Sequence, residues 1–257
     1  MSSELKDAVY IVTGGSRGFG LAIARSLVAR GARVGLISRN QTGLDQAVAE
    51  IGADYAFGVA ADVAHVEEIG NAFEAIKQHF GRLDALINNA GMARPNKVEH
   101  LVEAEVVMQV QTNFLGTVFC CQAAIPLLRG GDNPRIINIS SASAHHYDEM
   151  SHLSIYAASK AAVERFTRDL RVEVQADKIG VTCVRPGSAW TSFADGWDTD
   201  ALQAGLQAWK HTGTYMDTGM EPEQVADAVA YALTQPPGVS IDLLEVRPNM
   251  RMPKEPG

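Results

Sequence analysis

Val9-Tyr10-Ile11-Val12-Thr13-Gly14-Gly15-Ser16-Arg17-Gly18-Phe19-Gly20 decides the architecture. A short apolar run, Ala8–Thr13, ends in a glycine turn, and the turn opens a helical pattern over Gly18–Ala29. An apolar run without period-2 alternation is the signature of a strand buried on both faces. Glycines between a strand and a helix allow a tight turn and close backbone approach, leaving the first N–H groups of the helix free.

Outward from this unit the same grammar repeats. Strand-like runs recur at Arg33–Ile37, Ala56–Ala60, Ala85–Asn88, Arg135–Ile139, Val181–Val184 and Leu243–Val246. Helical patterns lie between them at Gly43–Ile51, Val66–Phe80, Glu103–Leu128, Ile155–Gln175 and Glu223–Leu233. Strand and helix alternating this often predict an α/β fold, a doubly wound parallel sheet of about seven strands flanked by helices. No linker or repeat divides the 257 residues, which read as a single domain. Ser188–Met220 has no clear strand character and carries Trp190, Phe193, Trp197 and Trp209; a stretch of that length in a compact domain predicts a substrate lid. Its aromatics serve either to pack the lid onto the body or to line a roomy apolar pocket.

Composition narrows the function. With 46% hydrophobic residues and 23 Gly the chain is neither disordered nor a disulfide scaffold. Lys+Arg 22 against Asp+Glu 30 gives a net charge of −8, which disfavours nucleic acid and anionic membrane as partners. Cys120, Cys121 and Cys183 form no CxxC pair. The N-terminal residues contain no apolar run of secretory length, so a cytoplasmic location is expected.

The turn Thr13–Gly20 is spaced GxxxGxG and suits a dinucleotide pyrophosphate, with Gly14, Ser16, Arg17, Gly18, Phe19 and Gly20 as candidate contacts. At the end of the second strand, where an acid would bind a ribose 2′-OH, stand Ser38 and Arg39. Two guanidiniums and a hydroxyl fit a 2′-phosphate, so NADP(H) is expected over NAD(H); the bland alternative is two solvated surface arginines.

Tyr156 and Lys160 are four apart on one helix face. A nearby ammonium should lower the phenol toward working pH and make it a general acid/base. Taken alone, such a pair is an ordinary surface pair.

The chain as a whole resembles the short-chain dehydrogenase/reductases. TGGSRGFG at 13–20, Asp62-Val63, Asn88-Asn89-Ala90-Gly91, Asn113, Ile139-Ser140-Ser141, YAASK at 156–160 and Arg185-Pro186-Gly187 occur in that family's order and spacing. The resemblance implies a Rossmann-type oxidoreductase in which Tyr156 is the general acid/base. By the same resemblance Lys160 tunes Tyr156 and binds the nicotinamide ribose, Ser141 polarises the carbonyl, and Asn113 holds a water in the proton relay. It further implies cofactor contacts at Asp62 and Val63 (adenine), Asn89, Ala90 and Gly91 (beside the ribose), and Pro186, Gly187 and Thr191 (carboxamide).

The family's serine lies thirteen residues before its tyrosine. Here Ser143 has that spacing, whereas Ser141 lies fifteen before but directly follows the strand. Ser141 is preferred, with a two-residue insertion in the loop, and Ser143 is the alternative. The loop after it offers His145, His146 and Tyr147 as pocket residues beside Trp190 and Phe193. His145, His146, Asp148 and Glu149 also invite a metal reading, but adjacent residues rarely converge on one ion, and no metal is expected.

The ending Ile241–Pro248 replaces the Gly-rich terminus common in the family, resembling VRP-ended members that act on hydroxy acids or assorted carbonyls. The tail Asn249–Gly257 is expected to be loose or draped over a neighbour.

The reading is therefore an NADP(H)-dependent carbonyl reductase or alcohol dehydrogenase for a bulky, mostly apolar small molecule. It is expected to be a homodimer or homotetramer through helices 103–128 and 155–175. The alternatives are an NADP-binding sensor or scaffold without turnover, and a sugar-nucleotide epimerase or dehydratase of the same fold, whose substrate domain would make the chain longer.

Overall fold

A computed structural model describes residues 5–146, 151–211 and 215–254. Seven strands form one parallel sheet: β1 (Val9–Thr13), β2 (Arg33–Ser38), β3 (Ala56–Ala60), β4 (Ala85–Asn88), β5 (Arg135–Ile139), β6 (Gly180–Pro186) and, after the short strand β7 (Tyr215–Asp217) that lies outside it, β8 (Leu243–Val246). Their order is β3-β2-β1-β4-β5-β6-β8. Every pairing is parallel, with Val9 opposite Arg33 on one side of β1 and Tyr10 opposite Ala85 on the other. This is the doubly wound arrangement, and it reverses direction between β1 and β4, where such sheets open a crevice at their carboxyl ends.

The apolar runs are explained by burial on both faces. In β1 all five residues are buried. Val12 packs with α1 (Gly18–Ala29), α2 (Gln41–Ile51) and α8 (Pro222–Leu233), through Ile23, Leu27, Leu44, Val225 and Val229. Its neighbour Ile11 turns to the opposite layer of α3 (Val66–Phe80), α5 (Gly116–Leu128) and α6 (Ser154–Glu173), among Phe73, Ile76, Cys120, Leu128 and Leu170. Alternate residues thus feed two cores.

Three expectations are corrected. The helix expected over Glu103–Leu128 is broken: α4 (Glu103–Val110) gives way to a π turn at Gln111–Leu115 before α5 begins. The side-chain amide of Asn113, within that turn, bonds the backbone of Met92, and π turns recur where function fixes a side chain. The segment 188–220 is not structureless, since it contains α7 (Thr199–His211) and β7 (Tyr215–Asp217). Nor is the tail loose throughout: β9 (Arg251–Pro253) pairs antiparallel with β7. Asp217 stands opposite Arg251 in that register, and their side chains meet at 3.3 Å. No helix among the described residues is long and apolar enough to cross a membrane.

Candidate active site

The glycine turn is built around two backbone conformations. Gly14 and Gly18 have φ of +65° and +53°, in the left-handed region where a side chain is strained. Gly20 is packed so closely that a Cβ there would stand 2.2 Å from the Gly14 carbonyl oxygen. α1 begins with Arg17 in extended conformation, with no side-chain cap and no acid in its first turn. Its leading N–H groups and dipole therefore suit an anion.

The loop after β4 supports this turn. The Asn89 side chain donates to the carbonyls of Thr13 (2.9 Å) and Gly14 (3.3 Å). The Thr13 hydroxyl accepts the N–H groups of Asn89 and Ala90, both at 3.0 Å. Thr13 was not among the residues singled out from sequence, although it stands directly before the first glycine. Gly91 faces Lys160 so closely that a Cβ would lie 3.2 Å from Nζ.

At the β2 end, the Ser38 hydroxyl donates to the Asn40 carbonyl at 3.4 Å, and Ser16 lies beside Gly43 in the first turn of α2. Arg39 reaches the Asp62 carboxylate at 3.9 Å, while Arg17 pairs with Asp195 at 3.0 Å. Asp62 also accepts the Ala64 N–H at 2.9 Å, and Val63 is buried beneath Gly116. Two exposed guanidiniums, a hydroxyl and an uncapped helix start converge on one end of the sheet. These residues fit a 2′-phosphorylated dinucleotide.

The second half of the site lies on β5 and α6. Ser141 follows β5, and its side chain bears on the Tyr156 phenol, drawing its titration down. The Ser143 hydroxyl donates to Ser141 Oγ at 3.0 Å, and the Ser143 N–H does so at 3.2 Å. Ser143 thus stands behind Ser141 and donates to it twice. Lys160, one helical turn beyond Tyr156, is buried and donates to the Ile139 carbonyl at 2.8 Å. Asn113 Nδ2 donates to the Ser159 hydroxyl at 3.0 Å, coupling the π turn to α6.

The electrostatics differ from the expectation. Burial pushes the Tyr156 phenol above its ordinary value, and the neighbouring Ser141 side chain offsets this only in part. Burial also pushes the Lys160 ammonium down to about 8. In these surroundings burial sets the direction of the Tyr156 phenol, and the Lys160 ammonium is held at the Ile139 carbonyl.

The segment 188–220 supplies aromatic cover. Phe193 lies 5.3 Å from the Tyr156 ring, centroid to centroid; Trp197 follows at 5.8 Å from Phe193, and Trp209 at 6.3 Å from Trp197. Trp209 donates its indole N–H to the Ser151 carbonyl. Tyr156 packs with Trp197, Trp209, Ala93 and Leu153 in one small cluster. Trp190 instead lies against Gly219 and is largely exposed. Thr191 faces Gly18, while Pro186 ends β6 and Gly187 donates its N–H to Val246 at 2.8 Å. His145 and His146 stack edge to face, and His146 is bound at 2.7 Å to Glu245 of β8. Tyr147, Asp148 and Glu149 lie outside the described residues. Among the described residues no group of three or more His, Cys, Asp or Glu side chains is placed to hold a metal.

A charged chain that the sequence did not reveal runs behind the site. Arg185 grips Glu164 bidentately at 2.8 and 2.6 Å, and Ser140 donates to the same carboxylate at 2.8 Å. Arg185 also bonds Glu245 at 2.7 Å. Arg247 joins Asp217 of β7 at 3.0 Å. β6 and β8 are thereby tied to the end of β5, to His146 and, through Asp217 and Arg251, to the tail.

Known proteins agree with this picture. The sequence profile described as short chain dehydrogenase matches residues 8–201. An uncharacterized oxidoreductase of Staphylococcus aureus strain USA300 is 33% identical over 245 residues, covering 95% of this chain and 98% of the relative. Among solved structures, the closed form of serine dehydrogenase complexed with NADP+ superposes with a TM-score of 0.81 at 26% identity, covering 93% of this chain and 94% of that one. A metagenomic short-chain oxidoreductase in complex with NADP gives 0.78 at 28% identity, covering 96% and 99%. The chain belongs to the short-chain dehydrogenase family of oxidoreductases.

Proposed function

We propose that this oxidoreductase interconverts a ketone or aldehyde and its alcohol with NADP(H), acting on a bulky, mostly apolar small molecule. The observation that carries the reading is Tyr156 under Phe193, one helical turn from the buried Lys160 ammonium that the Ile139 carbonyl holds at 2.8 Å at the end of β5, where Ser141 follows.

A bound nicotinamide supplies the hydride and accepts it back. Gly14, Ser16, Arg17, Gly18, Phe19 and Gly20 would hold the phosphates; Ser38 and Arg39, with Arg17, would hold the 2′-phosphate. Asp62 and Val63 would border the adenine, Asn89, Ala90 and Gly91 the ribose, and Pro186, Gly187 and Thr191 the carboxamide. Ser141 orients the substrate oxygen. Tyr156 gives that oxygen its proton during reduction and takes it during oxidation, a contribution of about 10²–10⁴-fold for a positioned group. A phenol held above its ordinary value stays protonated, which suits the donor role in reduction. Lys160 keeps a positive charge beside it, and Asn113 fixes the loop that presents Gly91 to Lys160.

Phe193, Trp197 and Trp209 around Tyr156 support an apolar substrate, since binding sites are lined mainly by such side chains. Exposed Val102, Val107 and Val110 on and beside α4 and exposed Val172 on α6 support assembly into a homodimer or homotetramer.

The test is NADPH oxidation by purified protein over aromatic ketones, alicyclic ketones, keto esters, keto acids and aldehydes. Turnover concentrated in the bulky neutral carbonyls supports the proposal. Turnover confined to small charged keto acids defeats its substrate half, and tighter binding of NADH than NADPH defeats its cofactor half.

A further inference from the structure

We propose that Asp195 is a determinant of cofactor specificity that latches the lid to the glycine turn. Its carboxylate holds the Arg17 guanidinium that a 2′-phosphate would take, so a 2′-phosphorylated dinucleotide displaces Asp195 and frees the lid. The inference rests on the NADP(H) reading above.

Arg17 Nη1 and Asp195 Oδ2 are 3.0 Å apart, joining residues 178 positions apart in the chain. Both side chains are 62% exposed. An ion pair so exposed is weak and exchangeable, whereas a phosphate can engage the same guanidinium through two parallel charge-assisted bonds. The exchange is therefore downhill for a 2′-phosphate and has no counterpart for a 2′-hydroxyl.

Asp195 is placed to transmit the exchange. It follows the turn Ser192–Ala194, which carries Phe193 against Tyr156, and precedes Gly196, whose φ of +77° marks a bend. Trp197 comes next and meets Phe193 edge to face. Releasing Asp195 thus loosens the segment that covers the Tyr156 ring. The other carboxylate near the 2′-phosphate residues, Asp62, differs in this respect. It stands 3.9 Å from Arg39, is engaged by the Ala64 N–H beyond β3, and moves with the sheet, not with the lid.

The protein contains three tryptophans, Trp190, Trp197 and Trp209, and all belong to the lid, so intrinsic emission reports its state. The experiment titrates the full chain with NADP+, NAD+ and adenosine 2′,5′-bisphosphate by calorimetry, and follows tryptophan emission with the bisphosphate, in four proteins. These are the parent, Asp195→Asn, Asp195→Glu, and Asp200→Asn, which removes a lid charge that does not touch Arg17.

Asp195→Asn is expected to bind NADP+ and the bisphosphate about two- to fivefold more tightly. NAD+ affinity stays unchanged, Asp195→Glu stays near the parent, and Asp200→Asn shows no such selectivity. Parent emission shifts when the bisphosphate saturates, and unliganded Asp195→Asn already shows the shifted spectrum. Unchanged or weaker NADP+ binding by Asp195→Asn overturns the latch, as does equal tightening for NAD+. A parent that binds NAD+ as well as NADP+ overturns the cofactor reading and the latch together. A parent that prefers NADP+ beside an indifferent Asp195→Asn removes the latch alone.

Discussion

Asn113 and Met92 exchange two hydrogen bonds of 2.8 Å, the Met92 N–H to Oδ1 and Nδ2 to the Met92 carbonyl. The pair fastens the π turn of the long helix to the loop that brings Gly91 against Lys160. Removing the amide orphans both backbone groups in a buried place. Asn113→Ala should therefore lose about 1–3 kcal/mol of stability in urea unfolding. Its turnover should fall further than that loss alone explains at temperatures where it is folded. A variant as stable and active as the parent would show that the pair positions nothing.

Ser141 and Ser143 separate by their partners. Ser141→Ala removes the hydroxyl that both Ser143 donors support and should lower kcat by about 10²–10³, the usual loss for a group that polarises a reacting oxygen. Ser143→Ala removes a donor to Ser141 and should stay within about tenfold of the parent. Steady-state rates of the two variants decide it, and the reverse order would move the carbonyl-orienting role to Ser143.

Lys160 should dominate the alkaline limb. With its ammonium pushed down to about 8, its charge is lost above that pH while the Tyr156 phenol stays protonated. kcat/KM for carbonyl reduction, which follows the free enzyme, should decline above about pH 8. The stability sign is opposite. Unfolded Lys160 keeps its proton to about 10.4, so stability rises between the two values, and Lys160→Met should lack that rise. A kcat/KM profile flat to pH 10 would contradict the assignment.

Glu164 and Arg185 form a buried pair behind Ser140. Burial draws the Glu164 carboxyl upward, but hydrogen bonds from Arg185 and Ser140 outweigh it and hold it below the usual range. Its stabilising effect is present above the ordinary carboxylate pKa and is lost as pH falls through the lowered one. Glu164→Gln leaves Arg185 poorly compensated and should cost about 3–5 kcal/mol at pH 7 by denaturant unfolding. It should also flatten stability against pH in the acid range. A loss below about 1 kcal/mol would mean that Glu245 alone satisfies the guanidinium.

What was legible in the sequence follows from physics that acts locally. Val9–Thr13 and Arg135–Ile139 read as strands because both faces are buried, and the glycine turn announced itself because Gly14 and Gly18 need left-handed backbone. The break at Asn113 was hidden, since a π turn leaves the apolar pattern of Glu103–Leu128 uninterrupted. β7 and β9 were hidden because each is only three residues long, and Asp217 and Arg251, which stand opposite each other across them, lie far apart in sequence. The Glu164–Arg185–Glu245 chain joins residues far apart in sequence, and nothing local marks them as partners. The Tyr156–Lys160 spacing was read correctly as geometry, but its electrostatic consequence depended on burial, which spacing does not disclose.

The most direct measurement compares the parent with Tyr156→Phe, following NADPH oxidation with the best carbonyl of the panel and NADPH binding by titration. Turnover should fall by at least about 10² while NADPH binds within about threefold of the parent, because the phenol oxygen is the proton donor and the ring still packs against Phe193. Full turnover by Tyr156→Phe would contradict the account at its centre.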